Sequence, residues 1–265
     1  MNVSRSSLPW WPRPFGTEYA DFRKWGWILR QVIRTVGLLD LASRLRWRML
    51  AQQIGRRRFE RVLDAGCGTG VFAFQLVRTG RAARVDGIDV RREVVEEASR
   101  IAREKGLDQL RFRVSNLDTW RLPWNQPPYD LIICVEALTY VRDRPDTMFR
   151  LREALAPDGL LYLSLPHDKR LDNPRHFTIE ETKAMLRATG FEVVSASYVI
   201  GRYHGALIAT FDFLTRHLRP LAVLVLPILI LLASGKRFPV PHGQFVMALA
   251  RPARCADKHD QEANR

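Results

Sequence analysis

Lysine is scarce in a chain that is otherwise strongly basic: six lysines stand among 42 basic residues, against 28 acidic ones, for a formal net charge of +14. Arginine excess of this kind reflects coding bias as readily as function, so charge by itself does not argue for a nucleic-acid partner. Cysteine is scarcer still. Three cannot all pair within one chain, and Cys67, Cys134 and Cys255 show no zinc-ligand spacing, so no metal site is expected. Reduced thiols in a cytosol are the expectation. No N-terminal run combines a basic start, an apolar core and a small-residue cleavage site, which argues against secretion. Long apolar runs are missing too, with one exception: fifteen uncharged residues from Leu221 to Gly235. What the 265 residues do have is 46% hydrophobic content, enough for one packed α/β domain with additions.

The most informative stretch is residues 62–70, Val-Leu-Asp-Ala-Gly-Cys-Gly-Thr-Gly. A short apolar run ends in Asp64, glycines follow at 66, 68 and 70, and an amphipathic stretch begins at Val71. That order predicts a buried strand, a tight glycine turn and a helix. Glycine is needed where φ is positive or where a ligand must touch main chain. A dinucleotide fingerprint would place Gly or Ala where Val71 stands, which weakens that reading. The pattern instead resembles the first motif of the class I S-adenosylmethionine-dependent methyltransferases, whose glycine turn lies under the methionine half of the cofactor.

Further residues extend the resemblance. Val85 to Asp89 reads as a second strand ending in an acid, where the family places a ribose-binding carboxylate; the alternative is that Asp89 caps the helix starting near Arg91. Arg111 to Val114 reads as a third strand, and Asp118, four residues ahead of Leu122-Pro123, matches an acid near the adenine amino group. Tyr129 to Val135 reads as a fourth strand, fully apolar after the acid Asp130. Leu151 to Gly159 resembles the family's helix and turn before strand five, with Asp158 in place of the first glycine. The likeness runs from 61 to about 199, with a seventh strand expected at Gln244–Ala250. It implies a Rossmann-like α/β fold: a mostly parallel seven-stranded sheet, the last strand antiparallel, helices on both faces. It also implies S-adenosyl-L-methionine as cofactor, held by Asp64, Ala65, Gly66, Cys67, Gly68 and Gly70, by Asp89 and Val90, by Leu117 and Asp118, and by Val135.

Around that core (61–199 and 244–250) lie three additions. Residues 1–60 form an expected basic, aromatic-rich helical cap carrying +8 of the net charge. Its apolar stripes are Phe22, Trp25, Leu29, Val32, Ile33 and Val36, then Leu38, Leu41, Ala42, Leu45 and Met49. Residues 251–265 are a polar tail. Residues 200–243 are the unusual part, because a minimal domain would join strands six and seven by a short turn. Leu207, Phe211, Leu214 and Leu218 form a stripe, and the run 221–235 follows, interrupted by Pro227 and closed by Lys236-Arg237. As a helix the run is about 22 Å long, short of a bilayer's hydrocarbon. A shallow or re-entrant membrane contact through 205–237, buried packing, and an oligomer contact are the three readings.

Methyl transfer is an in-line displacement, so alignment and water exclusion supply most of the catalysis. A base is needed only where the acceptor must lose a proton. His167, just after the strand Leu160–Leu165, is the first candidate; Glu136 and Tyr140, after strand four, are second choices, for holding the acceptor. A greasy insertion beside the carboxyl edge points to a hydrophobic small-molecule or lipid-like acceptor for a cytoplasmic enzyme, at the inner face of a membrane. RNA methylation is the alternative, although Asn125-Gln126-Pro127-Pro128-Tyr129 lies ahead of strand four rather than after it. A non-catalytic, membrane-associated cofactor-binding scaffold is the third reading.

Overall fold

The computed structural model describes residues 41–169, 174–235 and 240–253. The stripe from Phe22 to Val36, Leu38, Cys255 and most of the polar tail lie outside the described residues.

Seven strands make one sheet: β1 (Phe59–Ala65), β2 (Ala82–Asp89), β3 (Leu110–Val114), β4 (Tyr129–Val135), β5 (Leu155–Pro166), β6 (Phe191–Val199) and β7 (Phe245–Pro252), in the spatial order β3-β2-β1-β4-β5-β7-β6. The ladders among β1 to β5 are parallel, and β7 runs antiparallel to both β5 and β6. The order reverses beside β1, and its carboxyl edge is where open α/β sheets receive ligands.

Each face of the sheet has its own core. On one lie α1 (Leu41–Ile54), α2 (Val71–Arg78) and α3 (Arg92–Glu104), with Leu41, Leu45, Met49, Phe74 and Ile101 against Val62, Leu131, Ile133 and Tyr162. On the other, α4 (Arg144–Glu153) and α5 (Ile179–Ala188) bring Met148, Leu151 and Leu186 against Leu63, Ile132, Cys134 and Leu163. Adjacent strand residues serve opposite cores, as the pleat requires, and both sets are apolar because helices cover both faces.

Local chemistry sets the helix starts. Thr178 caps α5: its Oγ1 accepts from the Glu181 N–H at 3.1 Å while a Glu181 carboxylate oxygen accepts from the Thr178 N–H at 2.7 Å. Asp143 caps α4 by accepting from the Asp146 N–H at 3.0 Å. The Leu-x-Pro-Asp-Gly turn departs from expectation: α4 ends at Glu153, and Leu155 to Gly159 is already strand. Leu155 pairs with Tyr129, then the register shifts so that Leu160 pairs with Leu131. Pro157 sits in the irregular stretch, where its missing N–H costs no ladder bond.

Between β6 and β7 the chain forms a helical hairpin, α6 (Arg202–His217) and α7 (Arg219–Gly235). It packs on the α1 side through Phe211, Ala222, Leu226, Leu229 and Ala233. An Arg48 guanidinium nitrogen donates to the Ala233 carbonyl at 3.1 Å, tying α1 to the end of α7. The helix runs through Pro227, and no described helix is long and apolar enough to cross a membrane.

Candidate active site at the carboxyl edge

The turn after β1 is built from backbone that only glycine adopts easily. Gly66, Gly68 and Gly70 have φ of 81°, 53° and 80°. The Gly66 and Cys67 N–H groups both donate to the Ile88 carbonyl, at 2.8 and 2.9 Å, so the turn is fastened to the end of β2. A Cβ on Gly66 would collide with that of Ala137, two residues beyond β4. Three strand ends therefore close on one crevice.

Asp64 is fully buried, takes a hydrogen bond from the Ala73 N–H, and has a second oxygen, Oδ2, with no partner. Burial pushes its pKa up to about 7. Cys67 and Cys134 are pushed up by burial as well, Cys134 to about 12, so both thiols are neutral at ordinary pH. Ala65, the last residue of β1, faces the opposite core, where it is fully buried. Its contribution is to end the strand without bulk beneath the turn.

Asp89 meets both sequence readings. Its Oδ2 accepts from the Gly68 N–H at 2.8 Å, and its Oδ1 accepts from the Arg91 N–H at 3.0 Å and Arg91 Nε at 3.2 Å. Burial raises its pKa, but these bonds and the Arg91 charge outweigh burial and hold the carboxyl below its ordinary value. Arg91 was not singled out by sequence reasoning; the signal available was only a basic residue two places after the acid. Next to it Val90 is 62% exposed, an apolar surface at the rim. Leu117 is buried, and the Asp118 carboxylate accepts from the Arg142 N–H at 2.8 Å. The buried Arg150 holds the Leu117 and Asp118 carbonyls at 3.1 and 2.7 Å, fixing that loop.

On the other side of the crevice, half-buried Val135 ends β4 and Glu136 follows with φ of 62°, a left-handed conformation costly for a side chain of this kind. Its N–H donates to the Ser164 carbonyl at 2.8 Å. Arg46 of α1 brings a guanidinium nitrogen to 2.6 Å from Glu136 Oε1, close as an ion pair though not aligned as a hydrogen bond. The same guanidinium lies 4.9 Å from the Phe245 ring centre. The Tyr162 hydroxyl and Ser164 Oγ are buried nearby in β5 without partners, and burial raises the tyrosine pKa, offset in part by the Arg46 charge. Arg46, Tyr162 and Ser164 were not legible as site residues.

His167 emerges at the carboxyl edge after β5, but it leans away from β4. Its ring centre lies 4.5 Å from that of Tyr198 on β6, the two planes tilted by 39°, and Nδ1 lies 2.8 Å from the Phe177 carbonyl. A carbonyl only accepts, so Nδ1 carries the proton and Nε2 is the acceptor nitrogen in neutral imidazole. Tyr140 is exposed, after the short 3-10 turn Ala137–Thr139.

The arrangement suits a nucleoside with a cationic amino-acid arm. A buried carboxyl with an unpartnered oxygen stands at one end, a glycine cradle in the middle, and a carboxylate with an apolar rim at the other.

Comparison with known proteins agrees. The profile described as a methyltransferase domain matches residues 58–207. A ubiquinone biosynthesis O-methyltransferase of Actinobacillus pleuropneumoniae is 28% identical over 165 residues, 61% of this chain and 62% of that protein. A trans-aconitate 2-methyltransferase of Variovorax paradoxus is 37% identical over 132 residues, 50% of this chain and 45% of that one. The chain thus spans less than two thirds of these curated relatives. An S-adenosylmethionine-dependent methyltransferase of Mesorhizobium loti has the same fold, with a TM-score of 0.55, 20% identity, and coverage of 80% of this chain and 99% of that one.

Proposed function

This chain belongs to the class I S-adenosylmethionine-dependent methyltransferase family, and on that premise we propose that it O-methylates a hydrophobic small molecule bearing an acidic hydroxyl. When bound, the cofactor supplies an electrophilic sulfonium methyl. Asp64 Oδ2 would meet its amino-acid arm, the glycine turn its backbone, Asp89 its ribose, and Val90 with Leu117 and Asp118 its base.

One observation carries the choice of an oxygen acceptor: a strained Glu136, paired with Arg46 and followed by the Ala137 that abuts Gly66, has two buried hydroxyls beside it without partners among the described residues. In this reading the Glu136 carboxylate would take the proton of the acceptor O–H, whose oxygen receives the methyl group as the methyl–sulfur bond is given up and the sulfur leaves as a neutral thioether. Arg46 orients the carboxylate, and Tyr162 and Ser164 hydrogen-bond the acceptor. His167, turned toward Tyr198, is the lesser candidate. The relatives' printed names, one an O-methyltransferase of ubiquinone biosynthesis and one a trans-aconitate methyltransferase, support a small-molecule acceptor.

The test is transfer of labelled methyl from S-adenosylmethionine into fractionated extract, followed by alkaline hydrolysis and extraction. Label in an ether or ester of an apolar small molecule supports the proposal; label in RNA at one defined base overturns it. With the acceptor in hand, Glu136→Gln is expected to lower kcat by about 100-fold while leaving cofactor affinity in place. An unchanged kcat would assign Glu136 a structural role and return the base to His167.

A further inference from the structure

α7 is apolar on both of its sides. Ala222, Leu226, Leu229 and Ala233 face inward and are buried. Leu221, Leu224, Ile228, Leu231 and Leu232, at spacings of three and four, face outward and are exposed, Leu224 by 73% and Ile228 by 57%. An ordinary surface helix turns charged or polar residues outward. This one has no charged residue between Arg219 and Gly235. Among the described residues nothing covers the outer row, which is about 16 Å long.

Charge decides what fits there. Residues 200–243 hold five basic residues and one acid, Asp212. Arg202 and Arg216 are exposed on α6, Arg219 opens α7, and Lys236-Arg237 follow its last residue in the sequence. In the sequence, the apolar row is therefore bracketed by cations. A second copy docking isologously through this row would set basic ends near basic ends. The chain's own residues 1–40 are also net basic, with six basic residues against three acidic. An anionic surface with an apolar layer beneath it satisfies both the row and its flanks.

We propose that the outer face of α7 docks on a lipid bilayer surface rich in anionic headgroups, with the helix lying in the interface rather than crossing it. The row inserts among the acyl chains to shallow depth while the flanking arginines and lysine meet the headgroups. The hairpin leaves β6 at Val199 and returns to β7 at Phe245, residues that pair at the carboxyl edge of the sheet. Docking through α7 thus sets the acceptor side of the crevice close to the membrane, where an apolar acceptor dissolves. The surface stands independently of the proposed activity.

The experiment is flotation of the full chain with vesicles of phosphatidylcholine alone or mixed with phosphatidylglycerol. Binding to the mixed vesicles, weakened by high salt, is expected. Leu224→Ser and Ile228→Ser together should lower partitioning by at least about 10-fold. Trp124→Ser, which removes an exposed aromatic side chain from the loop between β3 and β4, should leave it unchanged. S-adenosylmethionine titration of the double variant should match wild type, reporting an intact core and separating this surface from the cofactor site. Equal flotation of wild type and double variant would overturn the proposal. So would absence of vesicle binding together with a concentration-dependent dimer, in sedimentation, that the double variant abolishes.

Discussion

Asp89→Ala is expected to weaken S-adenosylmethionine binding by about 100-fold or more in calorimetric titration. Two effects add. A carboxylate that accepts from ribose hydroxyls makes charge-assisted bonds worth about 1.5–3 kcal/mol each. The same side chain fastens the Gly68 N–H and Arg91, so its removal loosens the turn proposed to carry the cofactor. Asp89→Asn separates the two, because it keeps the shape and one acceptor oxygen but lacks the charge. It should bind more weakly than wild type and more tightly than the alanine variant. Equal affinity in wild type and Asp89→Ala would remove this residue from the site. Arg91 enters the same argument. Its side chain occupies an acceptor position on Asp89 that a ribose would use, so Arg91→Ala is the natural companion measurement.

Asp64→Asn should show opposite effects on stability and on binding. In the unfolded chain this carboxyl titrates near 3.8, and in the folded protein near 7, because burial disfavours its charge. Between those values the folded state holds the extra proton, so the free energy of unfolding falls as pH rises from about 4 to about 7. Asparagine carries no such penalty. Relative to the wild type, the variant therefore gains on the order of 3–4 kcal/mol between pH 4 and pH 8, measured by urea unfolding without cofactor. A gap that does not change with pH would refute the buried-acid assignment. Cofactor affinity should move the other way. A cationic arm beside Asp64 favours its ionised form, so wild-type affinity climbs through pH 7, whereas the variant binds weakly at every pH.

These two acids could be known beforehand. Each stands at a strand end two residues from a glycine, Asp64 ahead of the glycine turn and Asp89 closing a short second strand, and that short-range order is enough to place them. The pattern Val62 to Gly70 also carried the fold, since strand, turn and helix are local and seven such elements in sequence order leave few topologies. β4 was legible to the residue, being apolar from Leu131 onward after Asp130, with Leu131 to Cys134 buried on both faces. Boundaries set by pairing were not. β7 spans Phe245–Pro252 where Gln244–Ala250 was expected, because β5 and β6 together determine how far its ladder runs. The early start of β5 depends likewise on a bulge opposite Tyr129.

Alone, the sequence determined the half of this protein proposed to hold the cofactor: the order of elements, the glycine turn, and the acids at the first two strand ends. That half is written in contiguous residues, whose backbone preferences and periodicity act locally. Tertiary structure alone decided the proposed acceptor half. Arg46 meets Glu136, and Tyr162 and Ser164 lie under them, only because α1 folds over the edge between β4 and β5. It also decided which side of α7 is covered, since a helix apolar all round does not reveal its inner face until its neighbours pack against it.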